Sequence, residues 1–163
     1  MQDQQKLFVE MALGAWNTYV QRADKLFNTL TDEQLLKEIA PGRNRGIYLL
    51  GHLATVSDGL FTLFSLGDKL YPQLETPFLK NPDKPGEDKY TVAELKKYWN
   101  DINEKLTSHF NQMSSASWFE KHSAVSAEDF AKEPIRNKLN VLLNRTNHLS
   151  YHYGQLILIL KNE

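Results

Sequence analysis

The sequence contains no cysteine among its 163 residues. This absence excludes disulfide bonds, thiolate metal sites and a cysteine nucleophile. It also excludes covalently attached c-type haem, which requires a Cys-x-x-Cys-His motif. Any metal site in this protein must therefore be built without thiolate ligands.

The chain also lacks an excess of charge of either sign. Lysine and arginine together number 19, aspartate and glutamate 20, which leaves a formal net charge of -1. A nucleic-acid-binding surface would show a basic excess or a basic stripe, so we expect no nucleic-acid partner. No apolar run approaches the roughly 20 residues that span a membrane, and the polar N-terminus carries no signal-peptide pattern. We expect a cytoplasmic protein without a membrane partner, folded as one domain over residues 1–163.

Four long segments with helical periodicity account for most of the chain. The second runs from about Asn44 to Leu66, the third follows a capping box of Thr91 and Glu94, and the fourth runs from near Pro134 to about Lys161. Strand signals are weak, so the sequence predicts an all-α four-helix bundle. In the first segment, the residues predicted to face the core recur at three- and four-residue spacing: Phe8, Met11, Ala15, Tyr19, Ala23, Leu26 and Leu30.

A long irregular segment, Gly67 to Tyr90, separates the second and third predicted helices. It carries four prolines, Pro72, Pro77, Pro82 and Pro85, and proline at this density blocks regular structure. Loops of this length in a compact domain are usually functional or mobile. We therefore expect this Pro-rich loop to shape the mouth of a binding pocket.

Three histidines form the clearest candidate site. His148 and His152 lie four residues apart on the predicted last helix, so both imidazoles can reach one metal ion. A helical wheel places both residues, and His52 on the second predicted helix, at the border of the buried face. If the two helices pack together, His52 completes a set of three nitrogens with an open fourth position, which is typical of a catalytic metal.

The alternative is a purely structural role, in which each histidine is a hydrogen-bonded residue at the edge of the core. Only the convergence of all three on one face favours a metal site. The two other histidines, His109 and His122, have no partner pattern, and we interpret them as surface or loop residues.

Motifs of rival chemistries are missing from the sequence. A zinc-protease helix needs glutamate directly after its first histidine, and Leu149 occupies that position. Di-iron bundles need Glu-x-x-His motifs on two helices, and none occurs. Glycine-rich nucleotide loops and the Gly-x-Ser-x-Gly nucleophile motif are also absent. A mononuclear histidine site is the chemistry that remains.

The residues around the histidines resemble a known family. Gly51-His52-Leu53-Ala54 resembles the first half of the DinB/YfiT-like pattern, and the His-x-x-x-His-x-Gly-Gln string over residues 148–155 resembles its second half. The resemblance covers nearly the whole chain. It implies an up-down-down-up four-helix bundle, usually a homodimer. It also implies one divalent ion, most commonly zinc or nickel, on His52, His148 and His152.

That resemblance implies a metal-dependent enzyme of the hydrolase or thiol S-transferase kind, acting on a small-molecule substrate. The alternative function is a non-catalytic bundle that binds a structural metal or a ligand. One position departs from the family: the residue after the second motif histidine is often arginine there but is Tyr153 here. A role of that arginine in binding an anionic group is therefore in doubt for this chain.

Residues beside the predicted site have open interpretations. Tyr48, Tyr151 and Gln155 lie near the histidine edge of their helices, which makes them candidate substrate-binding residues. Aromatic packing is the alternative for the two tyrosines. For Gln155 the alternatives are orienting a ligand histidine and simple surface exposure. Gly154 is interpreted as a site of close helix contact.

Two further interpretations concern the second predicted helix. Asp58 falls on the far side of that helix from its core stripe, so we do not expect it to be a metal ligand. Leu50 and Phe61 form a second apolar strip, which we interpret as a candidate dimer surface.

Overall fold

The computed structural model of the protein describes the backbone of residues 2–161 and the side chains of residues 4–160. Over these residues there is no β-strand, only two isolated bridges. The all-α prediction is confirmed. The helices are α1 (Gln2–Thr29), α2 (Asp32–Leu35), α3 (Gly46–Leu63), α4 (Val92–Gln112), α5 (Ala127–Lys132) and α6 (Lys138–Leu156).

Four of these helices, α1, α3, α4 and α6, form the predicted bundle. Helices α3 and α4 run in the same direction, because their C-terminal halves meet where the ring of Phe61 contacts His109. Helix α6 runs opposite to α3, since Ile159, in the 3-10 segment Ile157–Lys161 that follows α6, lies against Gly46 at the start of α3. Helix α1 runs opposite to α4, where Trp99 donates a hydrogen bond to Asp24. The order is therefore up-down-down-up.

The core of the bundle is one contiguous apolar cluster. Three tryptophans, Trp16, Trp99 and Trp118, are almost fully buried in it. Burial of large aromatic side chains supplies much of the hydrophobic stabilisation of a bundle of this size. The two helices that carry the predicted metal ligands are therefore held on a packed, rigid scaffold.

Capping residues decide where several helices begin. Thr31 and Gln34 form the capping box of α2, and Thr91 and Glu94 form that of α4, as their spacing predicts. The predicted start of the last helix near Pro134 is wrong. Helix α6 begins at Lys138, because the side chain of Asn137 accepts the hydrogen bond of the Asn140 N–H and acts as the N-cap.

The predicted buried face of α1 is wrong in its first half. Phe8 and Met11 are 62% and 63% exposed, and Ala15 is exposed as well. The core side of this part of the helix carries Val9, Ala12 and Trp16 instead, whereas Ala23, Leu26 and Leu30 are buried as predicted. Burial of the Trp16 indole determines which face of α1 is turned toward the core, and Phe8 and Met11 consequently face outward. Ile135 is exposed, because it precedes the start of α6.

The Pro-rich loop is better ordered than its sequence predicts. It contains a 3-10 turn at Pro72–Leu74 and a π-helical turn at Thr76–Lys80. Its later part is tied to the start of α3 by Arg45, whose buried guanidinium binds Asp83 at 2.6 Å and Asp88 at 2.8 Å. Polar contacts of this kind replace the helical hydrogen bonds that proline removes.

Asp58 anchors the other end of the same loop. Its side chain is 1% exposed and accepts hydrogen bonds from the backbone N–H groups of Leu70 and Tyr71, at 2.8 and 2.9 Å. Burial raises the pKa of Asp58, and the two N–H groups oppose that rise. The expectation that Asp58 faces away from the interior is wrong, because the loop covers that face of α3.

The predicted dimer surface on α3 is buried as well, and the ring of Phe61 packs against His109 of α4. Leu50 and Phe61 are 0% and 1% exposed, so they belong to the core of the chain itself. None of the helices in the described part of the chain combines the length and the apolar character needed to cross a membrane.

Candidate metal centre

The three predicted histidines lie together between α3 and α6. Because the two helices run antiparallel, the N-terminal half of α3 places His52 beside His148 and His152. The Nε2 atom of His148 lies 3.2 Å from Nε2 of His52 and 3.1 Å from Nε2 of His152. One nitrogen from each residue lies within 4.8 Å of the other two. The i, i+4 spacing therefore produces the convergence that the sequence predicts.

The protonation of His52 is set by the Pro-rich loop. Its Nδ1 lies 2.9 Å from the backbone carbonyl oxygen of Phe78. A carbonyl oxygen can only accept a hydrogen bond, so Nδ1 carries the proton and donates it. The lone pair of the imidazole then lies on Nε2, which faces the other histidines. A metal-binding histidine is commonly oriented in this way.

His152 is oriented by a residue on its own helix. Its Nδ1 donates to Oε1 of Gln155 at 2.7 Å, and Nε2 of Gln155 donates to the hydroxyl of Tyr151 at 3.0 Å. In this arrangement Oε1 of the amide faces the imidazole and Nε2 faces the tyrosine hydroxyl. Of the interpretations open for Gln155, the orienting contact to a histidine is the one observed.

His148 lies between the other two histidines and is partly buried. Burial, with smaller contributions from His152, His52 and Arg145, lowers its pKa to about 4. Burial likewise lowers the pKa of His152. Both rings are therefore neutral near pH 7, the form in which imidazole binds a metal. The Nδ1 atom of His148 is buried and has no hydrogen-bond partner.

The arrangement fits a metal ion better than it fits a hydrogen-bonded cluster. With the protons of His52 and His152 on Nδ1, a proton on His148 Nε2 can satisfy only one neighbour. The other contact would then have no proton of its own, because a ring nitrogen carries only one N–H. In a tetrahedral site with metal–nitrogen distances of about 2.0–2.1 Å, ligand nitrogens lie about 3.3 Å apart. The observed separations of 3.1 and 3.2 Å match this value.

Two further residues of α3 support His52. A Cβ on Gly51 would lie 2.5 Å from the ring of Phe78, so only glycine lets this ring pack against α3. Tyr48 stacks on the imidazole of His52, with ring centroids 6.3 Å apart, and its hydroxyl donates to the carbonyl of Asn81. The π-helical turn is thus held against the helix that carries His52.

The glycine prediction on α6 is wrong. Gly154 has nothing within 4 Å of the position that a Cβ would occupy, so it permits no close helix contact. The close approach occurs instead at Gly51 on α3. Glycine alone gives no signal of this difference, since the approach depends on where the loop folds back.

A cavity of about 270 Å³ opens beside His152. No fourth histidine, aspartate or glutamate joins the three histidines among the residues whose placement is described. His109 packs its ring against Phe61, and His122 lies in the segment before α5. The cavity is lined by Ile39, Gly42, Arg43, Asn44, Tyr151, His152 and Gln155.

Comparison with known proteins agrees with this fold. The crystal structure of the conserved protein of locus from Enterococcus faecalis superimposes with a TM-score of 0.63, over 94% of this chain and 97% of that chain, at 16% identity. At that identity the likeness shows the fold alone. No curated protein sequence matches significantly. The family model of the DinB superfamily matches residues 16–156, which include all three histidines and most of the bundle. The chain therefore belongs to the DinB superfamily.

Proposed function

We propose that this protein is a metal-dependent enzyme that binds one divalent ion, zinc or nickel, through His52, His148 and His152. The observation that carries the proposal is the convergence of three Nε2 atoms, two of which expose lone pairs because their Nδ1 protons are donated elsewhere. Membership of a superfamily with metal-binding members supports the same assignment.

The number of ligands favours a reactive site. Structural zinc sites usually have four protein ligands, whereas catalytic sites keep one position for water or substrate. No fourth histidine or carboxylate joins the three histidines in the described part of the chain, and a cavity opens beside His152, which supports a site of the catalytic kind. A bound divalent ion lowers the pKa of water or of a thiol, so that a nucleophilic anion exists near neutral pH. The reaction is hydrolysis or the transfer of a low-molecular-weight thiol.

The residues of the chain itself hold and orient the site. The carbonyl of Phe78 and the amide of Gln155 keep the protons of His52 and His152 on Nδ1. The hydroxyl of Tyr151 accepts a hydrogen bond from Gln155, so its own O–H can donate a hydrogen bond to a small-molecule substrate in the cavity. The hydroxyl of Tyr48 already donates a hydrogen bond to the carbonyl of Asn81. We therefore propose that Tyr48 contacts the substrate through its ring.

Metal analysis tests the proposal. We expect purified protein to contain close to one equivalent of zinc or nickel, and the double variant His148→Ala, His152→Ala to contain almost none. His109→Ala is the control, since His109 lies on α4 away from the site. Equal metal content in the protein and the double variant would disprove the site.

Activity assays separate an enzyme from a binding protein. Metal-loaded protein is assayed for thiol consumption with electrophiles and for ester and amide hydrolysis, with the double variant as the blank. Turnover that disappears in the double variant supports the enzyme. Bound metal without turnover in any assay favours the alternative, a non-catalytic bundle that binds a metal or ligand.

Three expectations from the sequence remain proposals. We propose that the chain forms one domain, acts in the cytoplasm and assembles as a homodimer. Light scattering during size-exclusion chromatography measures the last of these directly, and a mass near 18.8 kDa, that of one chain, would contradict it.

A further inference from the structure

The five arginines of the chain divide into two groups. Three have partners: Arg22 lies over the ring of Tyr19, Arg45 binds Asp83 and Asp88, and Arg136 binds Glu133. The side chains of the other two, Arg43 and Arg145, form no hydrogen bond or ion pair with any residue that the structure describes. These two unpaired arginines are the ones that flank the three histidines.

Arg145 is unpaired although it is partly buried. It lies three residues before His148 and seven before His152, so the three side chains share one face of α6. Its Nε atom is buried and has no hydrogen-bond partner. An uncompensated charge that has lost part of its water is costly in a folded protein. A ligand of opposite charge beside His148 would remove that cost.

Arg43 is an exposed residue on the other side of the site. It lines the cavity that opens beside His152. That cavity has no carboxylate among its lining residues, although the chain contains 20 acidic residues. The nearby carboxylate of Glu38 is engaged with the N–H of Gly42. Among the residues that the structure describes, the cavity beside His152 is therefore lined by one cation and by neutral groups, without a carboxylate.

We propose that Arg43 and Arg145 select a ligand that carries a carboxylate in addition to the atom that binds the metal. This inference rests on the proposed metal site. Three neutral imidazoles leave the full charge of a divalent ion uncompensated, and the two guanidinium groups add to it. A guanidinium matches the planar geometry of a carboxylate.

Three small thiols of different charge test the proposal on protein loaded with cobalt(II). They are 3-mercaptopropionate, 2-mercaptoethanol and cysteamine, which are anionic, neutral and cationic away from sulfur. Binding is followed by the change in the cobalt absorption spectrum. We expect 3-mercaptopropionate to bind about tenfold more tightly than 2-mercaptoethanol, and cysteamine to bind most weakly, because the two guanidinium groups favour a ligand with an additional negative charge.

Variants assign this preference to the two arginines. We expect Arg43→Gln and Arg145→Gln, each saturated with cobalt, to lower the ratio between the anionic and the neutral thiol by about threefold. Arg136→Gln makes the same change of charge at an exposed arginine that pairs with Glu133, and should leave the ratio unaltered.

The outcomes distinguish this inference from the proposed function. Loss of cobalt binding in the unmodified protein would overturn the metal site and the inference with it. Cobalt binding with equal affinity for all three thiols would overturn the inference alone. A preference for the anionic thiol that survives in the double variant Arg43→Gln, Arg145→Gln would overturn the assignment to these arginines.

Discussion

The Nδ1 atom of His152 donates a hydrogen bond of 2.7 Å to Oε1 of Gln155, three residues further along α6. One turn of helix thus supplies both a candidate ligand and the group that orients it. The corresponding partner of His52 is the carbonyl of Phe78, which comes from the Pro-rich loop. The site consequently depends on local helix geometry at one ligand and on tertiary packing at another.

Replacing Gln155 tests the local contact. We expect Gln155→Leu to weaken metal binding about 10- to 100-fold, since it removes the acceptor that keeps the proton of His152 on Nδ1. Tyr151→Phe is the matched control, because it removes only the outer hydroxyl and leaves the amide beside His152. Competition with a chelator measures both affinities. Equal affinities for the two variants would show that Gln155 does not orient the ligand.

Replacing Gly51 tests the tertiary contact. A Cβ at this position would meet the ring of Phe78 at 2.5 Å, so we expect Gly51→Ala to lower the free energy of unfolding by about 1–3 kcal/mol. It should also weaken metal binding, as the Phe78 carbonyl shifts away from His52. Urea unfolding and chelator competition measure the two effects.

Gly59, on the same helix, provides the control for Gly51. Nothing lies within 4 Å of its Cβ position. Gly59→Ala should therefore raise the free energy of unfolding by about 0.5–1 kcal/mol, through helix propensity alone. If both alanine variants were stabilised, the close approach of Phe78 to α3 would be disproved.

The ion pairs of Arg45 should contribute strongly to stability. We expect Arg45→Met to lower the free energy of unfolding by about 3–5 kcal/mol, because it leaves the carboxylate of Asp83, only 8% exposed, without its partner. Lys132→Met removes the exposed pair with Glu128 and should cost less than about 1 kcal/mol. Urea unfolding compares the two, and similar losses would contradict the buried position of Arg45.

His148 should make the metal-free protein sensitive to acid. Burial is the main cause that lowers its pKa from 6.5 to about 4. The unfolded chain binds this proton at higher pH than the folded chain does. The free energy of unfolding therefore carries the full contribution of neutral His148 above pH 6.5. This contribution falls as the pH decreases toward 4, by up to about 1.4 kcal/mol per pH unit.

Urea unfolding of chelator-treated protein at pH 7, 6 and 5 measures this dependence. His148→Gln cannot titrate in this range, so we expect its stability to change less with pH. Identical slopes for the protein and the variant would show that His148 does not lose its proton on folding.

Features that depend on neighbours in the sequence could be predicted closely. The capping boxes of Thr31 and Thr91 and the pairing of His148 with His152 all operate within one helical turn. The all-α class follows for the same reason, since helical periodicity is itself a local pattern. The DinB-like residues around His52 and His148 extended the prediction to the order of the helices.

Features that depend on distant contacts were predicted less well. The phase of α1 was misassigned because the burial of Trp16 outweighs that of Phe8 and Met11, and only the packed bundle reveals which side the indole takes. Asp58 resembled a surface residue because the backbone groups that it binds, at Leu70 and Tyr71, lie in a loop without periodicity.

The sequence by itself therefore determined the four long helices, the capping boxes of Thr31 and Thr91 and the identity of the three histidines. Only the tertiary structure decided how those histidines are oriented and what surrounds them. The proton position on His52 depends on a carbonyl 26 residues away, and the unpaired state of Arg43 and Arg145 depends on which carboxylates the fold brings near. The physical reason is that burial and electrostatic pairing act through space, whereas helix formation acts along the chain.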